Sequence, residues 1–236
     1  MSKTVILLPT YNERENIRLI VSEIFAVDPH LGVMVIDDNS PDGTAEEVRA
    51  LMREYPNLRL LLRRRKEGLG EAYKAGMLQT LADPAVERIF TMDADGSHAT
   101  EYLPDMLRAG ETHDLVIGSR YVPGGGIENW EPWRYLLSEW GNFYARTITG
   151  LAVRDLTAGY MCFRADLLRK IDLSRLQASG YAFLMELKFC ATRSFRCSFK
   201  EVPIHFKARR GGESKISGHI IREGLSTPWK LRFKKK

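Results

Sequence analysis

Short apolar runs alternate with amphipathic segments through the first half of this chain, and the alternation leaves few possible folds. The runs are Thr4–Leu8, Val33–Ile36, Leu58–Leu62, Ile89–Met92 and Asp114–Gly118. Strands that alternate with helices of about 10 to 15 residues indicate βαβ units. The sequence therefore predicts an α/β fold, in which helices flank a mostly parallel sheet.

Each of these five predicted strands ends in polar residues rather than in a plain turn. The polar clusters are Pro9–Glu13, Asp37–Asp38, Arg63–Gly70, Asp93–Asp95 and Arg120. The carboxyl ends of parallel strands lie along one edge of a sheet, where α/β proteins bind their ligands. We therefore expect these clusters to contribute to one binding site.

Two carboxylates, Asp93 and Asp95, follow the fourth strand and precede Gly96. Carboxylate oxygens suit Mg²⁺ or Mn²⁺, which usually take one or two protein carboxylates together with substrate phosphates. Aspartate also caps tight turns through its side chain. This stretch alone leaves both interpretations open, and the polar ends of the neighbouring strands favour the metal site.

Composition is that of one soluble globular domain over residues 1–236, with 44% hydrophobic and 28% charged residues. The net charge of +5 favours anionic partners such as phosphates, a membrane surface or nucleic acid. Gly68-Leu-Gly70 lacks the dinucleotide-binding fingerprint and the phosphate-loop lysine motif, which argues against dehydrogenases and nucleoside triphosphatases. No apolar run is long enough to cross a bilayer, so any membrane contact is expected to be peripheral.

A tryptophan-rich helix is predicted at about 130–150, after a flexible glycine loop at Pro123–Gly126. Three of the four tryptophans fall within its first eleven residues, from Trp130 to Trp140. Both an amphipathic core helix and an interfacial helix fit this pattern, since tryptophan favours the membrane–water boundary.

The end of the chain is predicted to be a basic amphipathic tail at about 216–236. Its last part, Trp229–Lys236, holds five basic residues, no acidic residue, and interleaved Trp, Leu and Phe. A membrane anchor and a solvated terminus are both consistent with it. Before it, Lys207–Lys215 combines glycines with four cations, which is typical of a mobile loop that closes over phosphates.

Five motifs taken in order identify a family. They are Pro9-Thr-Tyr-Asn-Glu13, Asp37-Asp-Asn-Ser-Pro-Asp-Gly-Thr44, Asp93-Ala-Asp-Gly-Ser-His98, Gly118-Ser-Arg-Tyr121 and Arg209 with Gly212-Glu-Ser-Lys215. The chain resembles the dolichyl-phosphate (polyprenyl-phosphate) mannose synthases of glycosyltransferase family 2. The resemblance implies a GT-A fold, GDP-mannose as donor, a polyprenyl or dolichyl phosphate as acceptor, Mg²⁺ or Mn²⁺ as cofactor, and a peripheral location on the cytoplasmic face of a membrane.

The resemblance also implies roles for individual residues. Contacts to the sugar nucleotide are implied for Pro9, Tyr11, Glu13, Ile36, Asp38, Asp93, Ala94, Asp95, Arg209 and Lys215. Contacts to the acceptor phosphate are implied for Arg120, Arg134 and Ser138, and catalytic roles for Asp93, Asp95 and Arg120. The implied metal ligands are Asp95 and Ser97. Many relatives have an amide in place of Ser97, so the metal is expected to complete its shell mostly with phosphate and water.

The chemistry of such a transfer fits these residues. Loss of the nucleoside diphosphate develops negative charge, which a metal ion and basic side chains stabilise. The acceptor is already an anion, so we predict no dedicated general base and inversion at the sugar carbon. No residue pattern selects guanine over uracil, which leaves another donor such as UDP-glucose open, and none specifies a partner subunit. A non-enzymatic membrane or nucleic-acid binder fits less well, because the strand-end aspartates would repel a phosphate backbone.

Overall fold

The computed structural model describes residues 3–128, 131–207 and 218–233, without the side chains of Pro132, Tyr181 and residues 218–223. The strands are β1 (Thr4–Thr10), β2 (Gly32–Asp37), β3 (Leu58–Leu62), β4 (Arg88–Thr91), β5 (Leu115–Ser119), β6 (Gly126–Ile127), β7 (Met161–Arg164), β8 (Phe199–Pro203) and β9 (His205–Phe206). The helices are α1 (Arg14–Val27), α2 (Thr44–Leu51), α3 (Leu69–Leu81), α4 (Leu103–Thr112), α5 (Pro132–Thr149), α6 (Ala165–Lys170), α7 (Gly180–Phe189) and α8 (Gly218–Phe233).

A seven-stranded sheet in the order β3-β2-β1-β4-β7-β5-β8 forms the centre of the fold. The pairs β1–β2, β1–β4, β2–β3 and β5–β8 are parallel, which confirms the expected α/β class. Strand β7 lies between β4 and β5 and is antiparallel to both. It was not predicted from the sequence, because a four-residue run that is buried at three of its positions carries no strong periodic signal. A separate parallel pair joins β6 to β9.

The core lies on both faces of the sheet, and β1 shows how the sequence divides it. Val5 and Leu7 point into one apolar cluster, whereas Ile6 and Leu8 point into the other. Successive side chains of a strand face opposite sides, so a strand covered by helices on both faces is apolar throughout. The carboxyl end of β1, at Thr10, lies at the edge of the sheet where the site is predicted.

Gly76 allows α3 to pack directly on β2. A Cβ atom at Gly76 would lie 2.3 Å from Cδ1 of Ile36, which is fully buried. We expect Gly76→Ala to lower the free energy of unfolding by about 1–3 kcal/mol, because the overpacked core must shift. Urea unfolding measures this change. Gly141→Ala is the matched control, since a Cβ in that α5 position meets nothing within 4 Å; an equal loss in both variants would contradict the packing argument.

The predicted helix at 130–150 is present as α5, and the predicted tail is largely helical as α8. The two helices pack together through Tyr144, whose hydroxyl donates to the carbonyl oxygen of Leu225 and accepts from Nε1 of Trp229, each at 2.9 Å. Trp130 and residues 234–236 lie outside the described residues. Within the described part of the chain, no helix has both the length and the apolar character that crossing a bilayer requires.

Candidate active site

The loop after β4 fixes the carboxylate of Asp95. Oδ1 of Asp95 accepts hydrogen bonds from the backbone N–H of Ser97, at 3.1 Å, and from the Ser97 hydroxyl, at 2.6 Å. Gly96 between them has φ +77°, a conformation that glycine adopts without strain. Asp95 therefore caps this turn, as one of the two interpretations of the sequence predicted. A capping role does not exclude that Asp95 also binds a ligand, because its carboxylate lies at the carboxyl edge of the sheet.

His98 holds the other end of this loop. Its Nδ1 accepts the backbone N–H of Asp93 at 2.9 Å, which places the ring proton on Nε2 of the neutral imidazole. The ring is 3% exposed and stacks on Tyr160 with centroids 5.0 Å apart, and its burial lowers the pKa of His98. Sequence reasoning gave His98 no role. The one feature of the sequence that could have indicated a role for His98 is its position directly after the predicted metal ligands.

The donor set at this loop fits a divalent ion that the substrate helps to hold. Asp95 and Ser97 supply hard oxygen atoms, which suit Mg²⁺ or Mn²⁺. Among the described residues no group of three or more His, Cys, Asp or Glu side chains could hold a metal ion on its own. A metal at Asp95 would therefore depend on phosphate and water for most of its ligands.

The predicted nucleotide contacts of β1 and β2 lie side by side. Pro9 and Ile36 are partners in the parallel register, and Asp38 follows directly after β2. Asp38 Oδ1 accepts from Nη1 of Arg63 at 2.6 Å, and Nη2 of the same arginine donates to Glu67 at 2.6 Å. Both side chains of the Asp38–Arg63 pair are less than one-tenth exposed. The loop after β3 thus packs against the edge of the sheet that carries Asp38, and Arg63, predicted only as part of a polar cluster, orients Asp38.

Tyr11 and Glu13 shape the turn between β1 and α1. The ammonium of Lys66 lies 3.7 Å from the centroid of the Tyr11 ring, which places a cation on this aromatic face. The Glu13 carbonyl oxygen accepts from the N–H groups of Asn16 and Ile17 at the start of α1, at 3.0 and 2.9 Å. Both residues follow β1, whose last residue Thr10 pairs with Asp37 of β2, so both predicted contacts lie at the same sheet edge as Asp38.

Arg120 is held by a buried carboxylate that sequence reasoning missed. The Asp155 side chain accepts from Nε and Nη2 of Arg120, each at 2.8 Å, and from the Arg120 backbone N–H at 3.1 Å. Nη2 also donates to the Thr157 hydroxyl at 2.7 Å. Burial opposes ionisation of Asp155, but the Arg120 charge and hydrogen bonds outweigh it and lower its pKa. The guanidinium is therefore fixed in one orientation.

Ser138 belongs to the same cluster, whereas Arg134 lies at the surface. The Tyr121 hydroxyl donates to Oγ of Ser138 at 2.7 Å, and one turn further along α5 the amide of Asn142 donates to Thr157 at 3.1 Å. Arg134 is 43% exposed and pairs with Glu131 at 3.3 Å. None of the described contacts joins Arg134 to Arg120 or Ser138.

Phe206 links the two halves of the site. Its ring centroid lies 5.7 Å from that of His98 and 5.4 Å from the guanidinium carbon of Arg120. The next residue, Lys207, donates its N–H to the carbonyl oxygen of Ser97 at 3.3 Å. Arg209 and Lys215, the predicted cations of the phosphate-covering loop, lie outside the described residues.

Gly125 packs closely against the backbone of Ser119 and Arg120. The sequence predicted only flexibility for this glycine loop. A Cβ at Gly125 would lie 2.5 Å from the Ser119 carbonyl oxygen and 3.1 Å from backbone atoms of Arg120. We expect Gly125→Ala to displace this backbone and to lower kcat by about 100-fold, because small misplacements of a positioning group are costly. Steady-state turnover measures the loss. Gly224→Ala, where a Cβ meets nothing within 4 Å, is the control and should retain activity; equal activities would contradict the close-approach argument.

Comparisons with known proteins agree with this geometry. The sequence model of the family described as "Glycosyl transferase family 2" matches residues 5–172 of this chain. An undecaprenyl-phosphate mannosyltransferase of Micrococcus luteus is 42% identical over 97% of this chain and 94% of the relative. A polyprenol monophosphomannose synthase of Mycolicibacterium smegmatis is 44% identical over 94% of this chain and 84% of the relative.

Solved structures extend the likeness to the fold. Glucosyl-3-phosphoglycerate synthase of Mycobacterium tuberculosis, solved with Mn²⁺, UDP and phosphoglyceric acid, has a TM-score of 0.71 and 18% identity, covering 100% of this chain and 80% of that one. A mannosyltransferase of Pyrobaculum calidifontis, solved with GDP-mannose and Mn²⁺, has a TM-score of 0.59 and 15% identity over 98% and 70% of the two chains. These likenesses confirm the expected GT-A fold. The chain belongs to glycosyltransferase family 2.

Proposed function

We propose that this protein transfers mannose from GDP-mannose to a polyprenyl (dolichyl) phosphate, giving a β-linked mannosyl phosphate lipid and GDP. The observation that carries the proposal is the contact of Phe206 with both His98 and Arg120, which brings the Asp93–Asp95 loop close to a fixed guanidinium. A donor diphosphate and an acceptor phosphate need these two features side by side. The names of the two near relatives supply the substrate classes.

The donor is assigned to the edge formed by β1, β2 and the loop after β4. Asp38, oriented by Arg63, and Tyr11 would contact the nucleoside, and Asp93 and Asp95 would lie at the diphosphate. A divalent ion held by Asp95 and Ser97 would offset the negative charge of the leaving diphosphate. Arg209 and Lys215 are proposed to assist from the segment that follows β9.

The acceptor is assigned to the Arg120 cluster. A phosphate oxygen of the lipid attacks the anomeric carbon of mannose while the bond from that carbon to the GDP oxygen breaks, and the electron pair leaves with GDP. Attack from the face opposite the leaving group inverts the anomeric centre. The attacking oxygen is an anion at neutral pH, so the site needs cations that position it rather than a general base. Arg120 and Ser138 would do this directly, and Arg134 would act from the surface of α5.

We assign the lipid part of the acceptor to a surface of α5 and α8. Large apolar side chains there are 48–73% exposed: Trp133, Leu136, Leu137, Trp140, Phe143, Leu225, Trp229 and Phe233. Lys230 and Arg232 lie in the last turn of α8. Exposed aromatic residues beside basic ones are typical of helices that lie in the headgroup region of a membrane. As the resemblance implies, this would be the cytoplasmic face.

The decisive experiment is GDP release from GDP-mannose with and without a short polyprenyl phosphate. We expect release only when acceptor is present, and its loss when a chelator removes divalent ions. The same assay with UDP-glucose tests the alternative donor. Faster turnover of UDP-glucose, or GDP release that does not depend on the acceptor, would refute the proposal.

Membrane binding can be tested with two leucines of similar exposure. Leu137 on α5 is 59% exposed, and Leu78 on α3 is 61% exposed. We expect Leu137→Ser to weaken binding to anionic phospholipid vesicles about tenfold or more, because burial of a leucine side chain contributes about 1.5 kcal/mol or more. Co-sedimentation measures it. Leu78→Ser should bind like the unmodified protein, and equal weakening in the two variants would contradict the assigned surface.

A further inference from the structure

The segment 154–158, which carries Asp155, has no regular secondary structure, yet its backbone is held by buried or partly buried side chains. The N–H groups of residues 154 and 155 donate to the two carboxylate oxygens of Glu201 on β8, at 2.8 and 3.0 Å. Those of residues 156 and 157 donate to Oδ1 of Asn142 on α5, at 2.8 and 3.4 Å. Buried backbone groups need partners, and here other elements supply them.

Lys188 on α7 supplies the donors for the carbonyl groups of the same segment. Its ammonium donates to the oxygen of Leu156 at 3.0 Å and to that of Ala158 at 2.6 Å. The side chain is fully buried. Burial lowers the pKa of Lys188 to about 7; Asp155 and Glu201 oppose this effect, and Arg120 reinforces it. A buried cation is costly where an apolar residue would pack as well, so its charge calls for an explanation.

The explanation lies in the charges around Asp155. Its carboxylate pairs with both Nε and Nη2 of Arg120, which offsets most of the attraction that Arg120 would have for a phosphate. Lys188 brings a second positive charge to Asp155, because it binds the residues immediately after it. Glu201 adds a second carboxylate beside Lys188, so Arg120, Asp155, Glu201 and a charged Lys188 are neutral together, whereas without the Lys188 charge they carry −1 and repel an anion.

We propose that Lys188 is a positioning residue for the acceptor phosphate. It fixes the segment that presents Asp155 to Arg120, and its charge offsets that of Asp155 so that Arg120 attracts the phosphate. This inference rests on the proposed function, since it takes Arg120 as an acceptor contact. Lys188 itself does not touch the substrate.

The test compares Lys188→Met with Lys200→Met in the chain of residues 1–236, under steady-state conditions with GDP-mannose and a short polyprenyl phosphate. Lys200 is exposed on β8, so the control makes the same chemical change without the buried contacts. We expect Lys188→Met to raise the acceptor KM about tenfold, as the loss of a close charge interaction does, and to leave the donor KM unchanged. An unchanged acceptor KM, or an equal rise in both KM values, would overturn the inference.

A pH profile separates the charge from a general structural effect. Protonation of the acceptor phosphate at lower pH weakens its charge, so on its own it would make the acceptor KM fall as pH rises. If Lys188 acts through its charge, the acceptor KM of the unmodified protein should instead rise between pH 7 and 8.5, as Lys188 loses its proton. Asp155, Arg120 and Glu201 are the charged groups that face it. A steadily falling KM would overturn the inference.

Two further controls keep the outcomes distinct. If Lys188→Met does not fold, Lys188→Gln retains N–H donors without the charge and is measured in the same way, and an unchanged acceptor KM in that variant counts against the inference. If the unmodified protein does not turn over GDP-mannose with polyprenyl phosphate, the proposed function fails instead. Normal turnover with no effect at Lys188 overturns only the inference.

Discussion

Replacing Asp95 with asparagine should lower kcat by about 10²–10³, the loss seen when a group that stabilises developing charge is removed. The substitution separates the two roles of this residue. An asparagine Oδ1 can still accept both hydrogen bonds from Ser97, so the turn is kept, while the negative charge is lost. Turnover measured across a titration of Mg²⁺ or Mn²⁺ should also show a much weaker dependence on the ion.

The control for this experiment is Ser97→Ala. It removes the hydroxyl that donates to Asp95 at 2.6 Å and leaves the carboxylate charge in place. We expect a smaller loss, because phosphate and water would supply most of the ligands of a metal bound here. Full activity in Asp95→Asn would mean that the carboxylate only caps the turn.

The second large effect is expected on stability, from Asp155→Asn. Asp155 is fully buried between Arg120 and Lys188, and both cations are less than one-tenth exposed. Removing one member of a buried ion pair leaves the others uncompensated, which typically costs about 3–5 kcal/mol. Urea unfolding at pH 7 measures the change. Asp172→Asn is the matched control, since Asp172 lies at the surface, and equal stability of the two variants would contradict a buried ion cluster.

The same residue predicts a pH dependence. Because the folded protein lowers the pKa of Asp155, its stabilising contribution is fully present above the unfolded pKa of about 3.9 and is lost as pH falls below it. The unmodified protein should therefore lose stability steeply below about pH 4. Asp155→Asn should lack that part of the acid dependence, and an identical acid profile would contradict the assignment.

The fold was largely predictable because its signals are local. The interior of β1 is apolar since helices cover both of its faces, and each predicted strand is followed by polar residues. Asp95 and Arg120 were identified by motifs that are contiguous in sequence. β7 was missed because it is short and because its antiparallel direction depends on its neighbours β4 and β5, which no local pattern records.

The parts of the site that were not predicted depend on contacts between distant segments. Arg63 meets Asp38 across 25 residues, and Asp155 meets Arg120 across 35. Lys188 reaches the carbonyl groups of 156 and 158 across about 30 residues. In sequence, Lys188 is one more cation in a helix. Only the tertiary structure shows that it is buried and which charge it faces.

Helix α5 has an inner face that contacts the Arg120 cluster and an outer face that is exposed. Asn142 on its inner face is bonded to Thr157, which in turn contacts Arg120, while Trp140 two residues earlier is 65% exposed on its outer face. The outer face and the guanidinium are therefore connected by a short chain of contacts through Asn142 and Thr157. If, as proposed, the outer face rests in a lipid headgroup layer and Arg120 contacts the acceptor phosphate, the depth of the protein in that layer sets the height of Arg120 above the hydrocarbon and so selects phosphates that lie at that height.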